Sequence, residues 1–250
     1  MCCFTRPVQD VKNTLIFARP SEGNRQYIVY SMTYKAKEDL AMVLPLPVPK
    51  GSGEKAVEFI NLKDYPHFFG DLARCFPPIR FSQRMPPPSN LRSLASPLEV
   101  IEVGEFEASF VPTIADFTRL DPRFRLPAGT WEKLPGYTNF GFAVFKLKRN
   151  AQTVHPMAFS FPRADGTSLF FPTVHIHDGK VHETADFHHT LFCQRGDQSL
   201  AILGWDESTG PAGRFVDGQR AQGIVESNDH CYRKFLEGNM PNRDTYLAAI

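Results

Sequence analysis

The sequence predicts an α+β fold rich in strands, with mostly antiparallel sheets and a few short helices. Two observations predict it. The chain holds 22 Phe and 21 Pro among 250 residues; Phe suits strands and sheet-packed cores, whereas frequent Pro breaks long helices. Short runs of β-branched and aromatic residues also recur between polar turns along most of its length.

Thr14-Leu15-Ile16-Phe17-Ala18 and Gln26-Tyr27-Ile28-Val29-Tyr30 read as two strands joined through a polar turn at Ser21-Glu22-Gly23-Asn24. Leu40-Ala41-Met42-Val43-Leu44 is a continuous apolar run, as expected of a strand covered on both faces, and leads into extended Pro45-Leu46-Pro47-Val48-Pro49. The spacing of Ala56, Val57, Phe59 and Ile60 predicts a helix over Glu54 to Leu62, and Asp64 is placed to cap another through Phe76. Pro77 to Pro97, with Pro86-Pro87-Pro88 inside it, reads as a long extended surface loop. Beyond it come a strand pair, Leu98 to Val103 and Phe106 to Phe110, and a short helix over Thr113 to Leu120. Strands follow at Gly141 to Lys148, Pro156 to Phe161, Ser168 to His177, Lys180 to Cys193 and Ser199 to Trp205. Asn228 is a suitable cap for a helix to Leu236, with a further short helix near the C-terminus. The chain reads as a single compact domain over 1–250.

The formal net charge is +1, so no global field draws nucleic acid or an anionic membrane. No run approaches the roughly 20 apolar residues that span a bilayer. The N-terminus lacks the pattern of a secretory signal. Five Cys at positions 2, 3, 75, 193 and 231 form no framework spacing. Free thiols in a reducing cytoplasm are the simplest account, and cytoplasmic residence is the expectation.

Two candidate sites emerge. Asp178-Gly179 between β-prone runs predicts a two-residue hairpin turn. In that register His175 faces His182 across the ladder and His177 shares their side, while Val174, Ile176 and Val181 take the apolar side. Three such imidazoles can hold a divalent ion, zinc above all, and leave a position open for water. Asp186 and His188 fall on the same face as a fourth ligand and a supporting partner. His189 falls on the other, packed face. The competing reading is a plain polar strand face, with Lys180 beside His177 opposing a cation. The His-x-His spacing resembles the cupin metal motif, with Glu183 near the place of its acid, although the rest of that pattern is missing.

The second site is the N-terminus. Removal of Met1 would leave Cys2 with a free α-amine, which titrates near neutrality and can take the thiol proton. Cys2, followed by a strand pair with Arg19 closing the first strand, resembles the opening of N-terminal nucleophile hydrolases of the penicillin V acylase and bile-salt hydrolase type. That resemblance implies an amide hydrolase with Cys2 as nucleophile and Arg19 supporting it. Where the family usually places an Asp shortly after that Arg, this chain reads Pro20-Ser21-Glu22. The competing reading packs Cys2 and Cys3 as small apolar residues at a strand start.

A broader likeness runs through Leu44-Pro45-Leu46-Pro47-Val48-Pro49, Phe142 to Leu147, His155 to Pro162 and Phe170-Phe171-Pro172. In these segments the chain resembles an uncharacterised bacterial family of unknown function. The resemblance implies a bacterial origin and a β-rich fold, and it brings no activity. A third reading is a binding or structural protein that presents Pro77 to Pro97 to a partner.

Overall fold

The computed structural model describes residues 2–77, 101–103, 106–127, 129–153, 155–178, 180–196 and 201–248. Sixteen strands are seen among them. The first seven are β1 (Cys2–Phe4), β2 (Asp10–Ser21), β3 (Arg25–Ala36), β4 (Leu40–Leu46), β5 (Glu58–Asn61), β6 (Ile101–Val103) and β7 (Phe106–Val111). β8 (Gly141–Leu147), β9 (Asn150–Thr153), β10 (Met157–Pro162), β11 (Ser168–Phe171) and β12 (His175–Ile176) follow. The last are β13 (Thr184–Cys193), β14 (Asp206–Glu207), β15 (Tyr232–Pro241) and β16 (Thr245–Ala248). One α-helix, α1 (Phe68–Arg74), and five short 3-10 turns complete the set, so the fold is the strand-rich α+β class the sequence predicts. No helix among the described residues is long and apolar enough to cross a membrane.

A six-stranded sheet runs β12-β1-β4-β8-β7-β6. An eight-stranded sheet runs β14-β15-β13-β2-β3-β10-β5, with β9 added against β3. Pairing is mostly antiparallel; the parallel ladders are β1 with β12 and β13 with β2. Phe side chains seal the two sheets face to face: Phe59 of β5 meets Phe145 of β8 edge-on at 5.6 Å, and Phe145 meets Phe159 of β10 at 5.9 Å.

Alternation along the strands explains why the larger sheet has two dry faces. Ile16, Ala18, Ile28 and Tyr30 enter the core between the sheets, whereas Phe17 and Val29 enter a second core on the outer face. That second core is capped by α1 and by the chain around 212–231. β4 is buried at all seven positions, as its unbroken apolar run requires of a strand covered on both faces. The β2–β3 turn works because Gly23 (φ 65°) and Asn24 (φ 54°) both accept the left-handed region.

Several local expectations are overturned by tertiary pairing. The helix expected over Glu54 to Leu62 is instead strand β5, whose Glu58-Phe59-Ile60-Asn61 pairs along β10. α1 begins at Phe68, with His67 and not Asp64 at its N-cap, because Phe68, Phe69 and Leu72 are the side chains that bury. The helix expected from Asn228 is strand β15, which pairs with all ten residues of β13, and the expected C-terminal helix is β16. Both segments carry ordinary helix formers, and the ladder overrides that weak preference. Residues 201–205 form a turn rather than the strand expected there. Beyond Pro77, the Pro-rich segment to Pro97 lies outside the described residues.

Candidate functional site

The hairpin expected at residues 173 to 183 is replaced by a different pairing. β12 lies in a parallel ladder with β1, in register Cys2↔His175 and Cys3↔Ile176. No ladder joins β12 to residues 180–183 among the described residues, and Gly179 of the expected turn lies outside them. The edge that β12 was expected to offer its own continuation is occupied by the N-terminal strand.

Side chains from the turn between β15 and β16 hold the chain entering β12. The Asp244 carboxylate accepts from Thr173 N (2.8 Å) and Val174 N (3.0 Å), and Tyr137 Oη donates to its other oxygen at 2.6 Å. Burial pushes the Asp244 carboxyl above its ordinary range. Asn242 then acts as a substitute strand: its Oδ1 accepts from His175 N at 2.7 Å, and its Nδ2 donates to His175 O at 2.8 Å and His182 O at 3.0 Å.

This support aims His175 at the eight-stranded sheet. On β13, Asp186 and His188 point outward and are exposed, while Phe187 and His189 point inward and are buried. The His175 ring packs 4.5 Å from Phe187, and its Nε2 stands 3.0 Å from His189 Nε2. His177 stacks on His175 at 4.7 Å and lies against Phe4. An open cleft of about 350 Å³ is lined by these three imidazoles, by Asp186 and His188, and by the chain from Val8 to Lys12 together with Thr14. A β-bulge between Lys12 and Leu15, with Asn13 at φ 53°, bends that wall.

Burial keeps the three inner imidazoles neutral. It lowers His175 to about 3, His177 to about 4 and His189 well below the ordinary value. A neutral imidazole carries one N–H and one lone pair. In the 3.0 Å contact one Nε2 therefore donates to the other. His177 Nε2 and His189 Nδ1 are buried without a hydrogen-bond partner among the described residues. Such groups are costly to leave unsatisfied, and both of these atoms border the open cleft.

The sequence-predicted residues divide between this site and other places. His175, His177, Asp186 and His188 line the cleft. His182, expected opposite His175, instead lies at the surface with its Nε2 2.9 Å from Asp178 Oδ2. Asp186 accepts from Asn239 Nδ2 at 3.1 Å. Among the described residues no group of three or more His, Cys, Asp or Glu side chains is arranged to hold a metal ion. His175 and His177 stack with their ring planes 23° apart. Arg19 donates to Gly223 O (2.6 Å) and Ile224 O (2.7 Å) and lies over the Tyr27 ring. It secures a loop of the outer core and takes no part in lining the cleft. His189 is the member that the expected hairpin register left out. The parity of Phe187, His189 and Leu191 assigns it to the inner face, and only the β1–β12 pairing brings that face to His175.

No family model matches the chain, and no curated protein does. Among solved structures it is similar to baculovirus P35, at 12% identity over 97% of each chain with a TM-score of 0.47. A mutated P35 after caspase cleavage matches at 11% identity, over 96% of this chain and all of that one, with a TM-score of 0.47. The caspase-8/P35 complex matches at 11% identity over 96% of each chain, with a TM-score of 0.44. Likenesses this distant carry no inference about what this chain does.

Proposed function

We propose that the chain is an acyl-transfer enzyme, an amide hydrolase whose nucleophile is Cys2 once Met1 has been removed. What supports this reading is the parallel register of β1 with β12, in which Cys2 and His175 are Cα partners beside the imidazole-lined cleft.

The chemistry follows from the protonation states. His175 and His177, at about 3 and 4, are too weakly basic to hold a proton at neutral pH. The base in this scheme is the α-amine of Cys2, since α-amines as a class titrate near neutrality. It takes the thiol proton as sulfur attacks the amide carbonyl carbon, and returns that proton to the departing amine. Water then cleaves the thioester, releasing acid and free thiol. Neutral imidazoles serve as hydrogen-bond donors: whichever cleft-facing ring nitrogen carries the N–H stabilises the developing oxyanion without bringing a charge of its own. Arg19 has no part in this scheme.

The test combines intact mass, thiol labelling and turnover. Expected results are a mass lacking Met1, preferential alkylation of Cys2 by iodoacetamide, and hydrolysis of an amide panel that Cys2→Ser abolishes. Turnover by protein that retains Met1, or turnover unchanged in Cys2→Ser, would overturn the reading. Elemental analysis of the same preparation tests the divalent-metal reading, to which a stoichiometric zinc lost in His175→Ala would return.

A further inference from the structure

The outer core of the eight-stranded sheet contains a second piece of sulfur chemistry. Cys75 caps the C-terminal end of α1, and Cys231 immediately precedes β15; both side chains are wholly buried in this core. Two neighbouring residues of one loop hold them in place. Thr209 donates to Cys75 O from its amide (2.8 Å) and its hydroxyl (3.1 Å). Ser208 N donates to Cys231 O at 2.8 Å, and Cys231 N donates back to Ser208 Oγ at 3.0 Å. Cys75 Sγ reaches Asp71 O at 3.8 Å, and the two thiols lie close enough that each shifts the other's titration.

Both are free thiols here, yet they are far apart in sequence and fixed together by backbone on each side. We propose that Cys75 and Cys231 are a disulfide-forming pair that hydrogen peroxide oxidises, cross-linking the end of α1 to the start of β15. Peroxide is small enough to enter a buried site through local opening of a seven-residue helix. The Cys75 thiolate attacks one peroxide oxygen; the O–O bond breaks, and the departing oxygen leaves as water after protonation. Cys231 sulfur attacks the resulting sulfenic sulfur, the S–O bond breaks, and the thiol proton leaves with the oxygen as a second water. Two thiols and one peroxide thus give one disulfide and two waters.

The order of attack is set by the surroundings. Its hydrogen bond from Cys231, with the nearby Arg74 charge, holds the Cys75 thiol below its ordinary value, whereas Cys231 is raised well above. Of the two thiols, Cys75 therefore gives up its proton the more readily.

The experiment treats the folded, full-length protein with a small excess of hydrogen peroxide, blocks residual thiols with maleimide after unfolding, and maps the peptides. The expected result is a mass loss of about 2 Da, a Cys75–Cys231 cross-linked peptide, and restoration by dithiothreitol. The unfolding temperature should rise by roughly 5 °C or more, because the bridge closes a long loop. Cys75→Ser and Cys231→Ser should each abolish the mass loss. Because the mapping is made on the unmutated chain, it decides the matter even if a variant folds poorly. A bridge to Cys193, oxidation that stops at isolated sulfinic acids, or a cross-link that forms only in denaturant overturns the proposal.

Discussion

His175 Nε2 and His189 Nε2 lie 3.0 Å apart, and this contact ties an edge strand of the six-stranded sheet to an interior strand of the eight-stranded one. Hydrogen bonds between buried neutral groups contribute about 0.5–1.5 kcal/mol net, and contacting residues couple by a similar amount. In a double-mutant cycle, His175→Ala and His189→Ala should each lower stability by about 1–3 kcal/mol. The double variant should fall short of their sum by about 0.5–1.5 kcal/mol. Urea denaturation at pH 7.5 measures it. Additivity within experimental error would mean that the contact contributes nothing.

The same cluster sets a pH dependence whose sign is fixed. Unfolded histidine titrates near 6.5, whereas folded His175 and His177 titrate at about 3 and 4. Between those values the unfolded chain binds more protons, so stability rises with pH across the window. The contribution is complete above about 6.5, is lost as pH falls toward 3 to 4, and levels off below. Between pH 7 and pH 5 each of these histidines should remove about 2 kcal/mol. Asp121, Asp165 and Asp178 are held below the ordinary carboxylate range, so their losses fall at lower pH. Denaturation series at pH 7, 6 and 5 should show a shallower decline in His177→Phe than in the unmutated chain. Equal slopes would falsify the claim that His177 is held neutral by the fold.

How much of this was legible in the sequence depends on the range of the interaction. Leu40 to Leu44 and Gly141 to Lys148 announce themselves as strands because their burial is written in their own composition. Glu58 to Asn61 and Tyr232 to Pro241 do not, since the partner that makes them strands lies far along the chain. The site divides the same way. Outward Asp186 and His188 and inward Phe187 and His189 follow from alternation within one strand. The partner of His175 does not, because Asp178-Gly179 is a strong local turn signal and nothing nearby tells that β1 takes that edge. A parallel ladder between the first and twelfth strands is a long-range event that leaves no local trace.

The clamp on His175 gives a third expectation. Asn242 satisfies both backbone groups of His175 and the carbonyl of His182, doing with one side chain what a neighbouring strand would do. Asn242→Ala leaves those groups to find water. Stability should drop by about 1–3 kcal/mol. Hydrogen exchange separates this from general weakening: the His175 amide should lose protection well before amides of the β13–β15 ladder. Uniform loss of protection would show that Asn242 acts on the whole fold instead of on this segment.

Arg19 offers the sharpest separation between a supporting role in catalysis and a structural one. Its guanidinium donates to two backbone carbonyls of the 223–224 turn, lies 3.9 Å from Glu226 and stacks 5.3 Å over Tyr27. Gln222, next to that turn, takes a left-handed φ of 51°, a conformation that costs a non-glycine residue energy unless its surroundings hold it. Removing the guanidinium strips charge-assisted bonds from two carbonyls, so Arg19→Ala should cost about 1.5–3 kcal/mol. Arg19→Lys should recover part of that at most, since an ammonium cannot reproduce the planar fork. If the side chain only fastens the outer core, alkylation of Cys2 by iodoacetamide should proceed at an unchanged rate in Arg19→Ala at a temperature where the variant stays folded. A tenfold slower reaction there, with folding intact by circular dichroism, would instead connect Arg19 to the nucleophile across the thickness of the sheet.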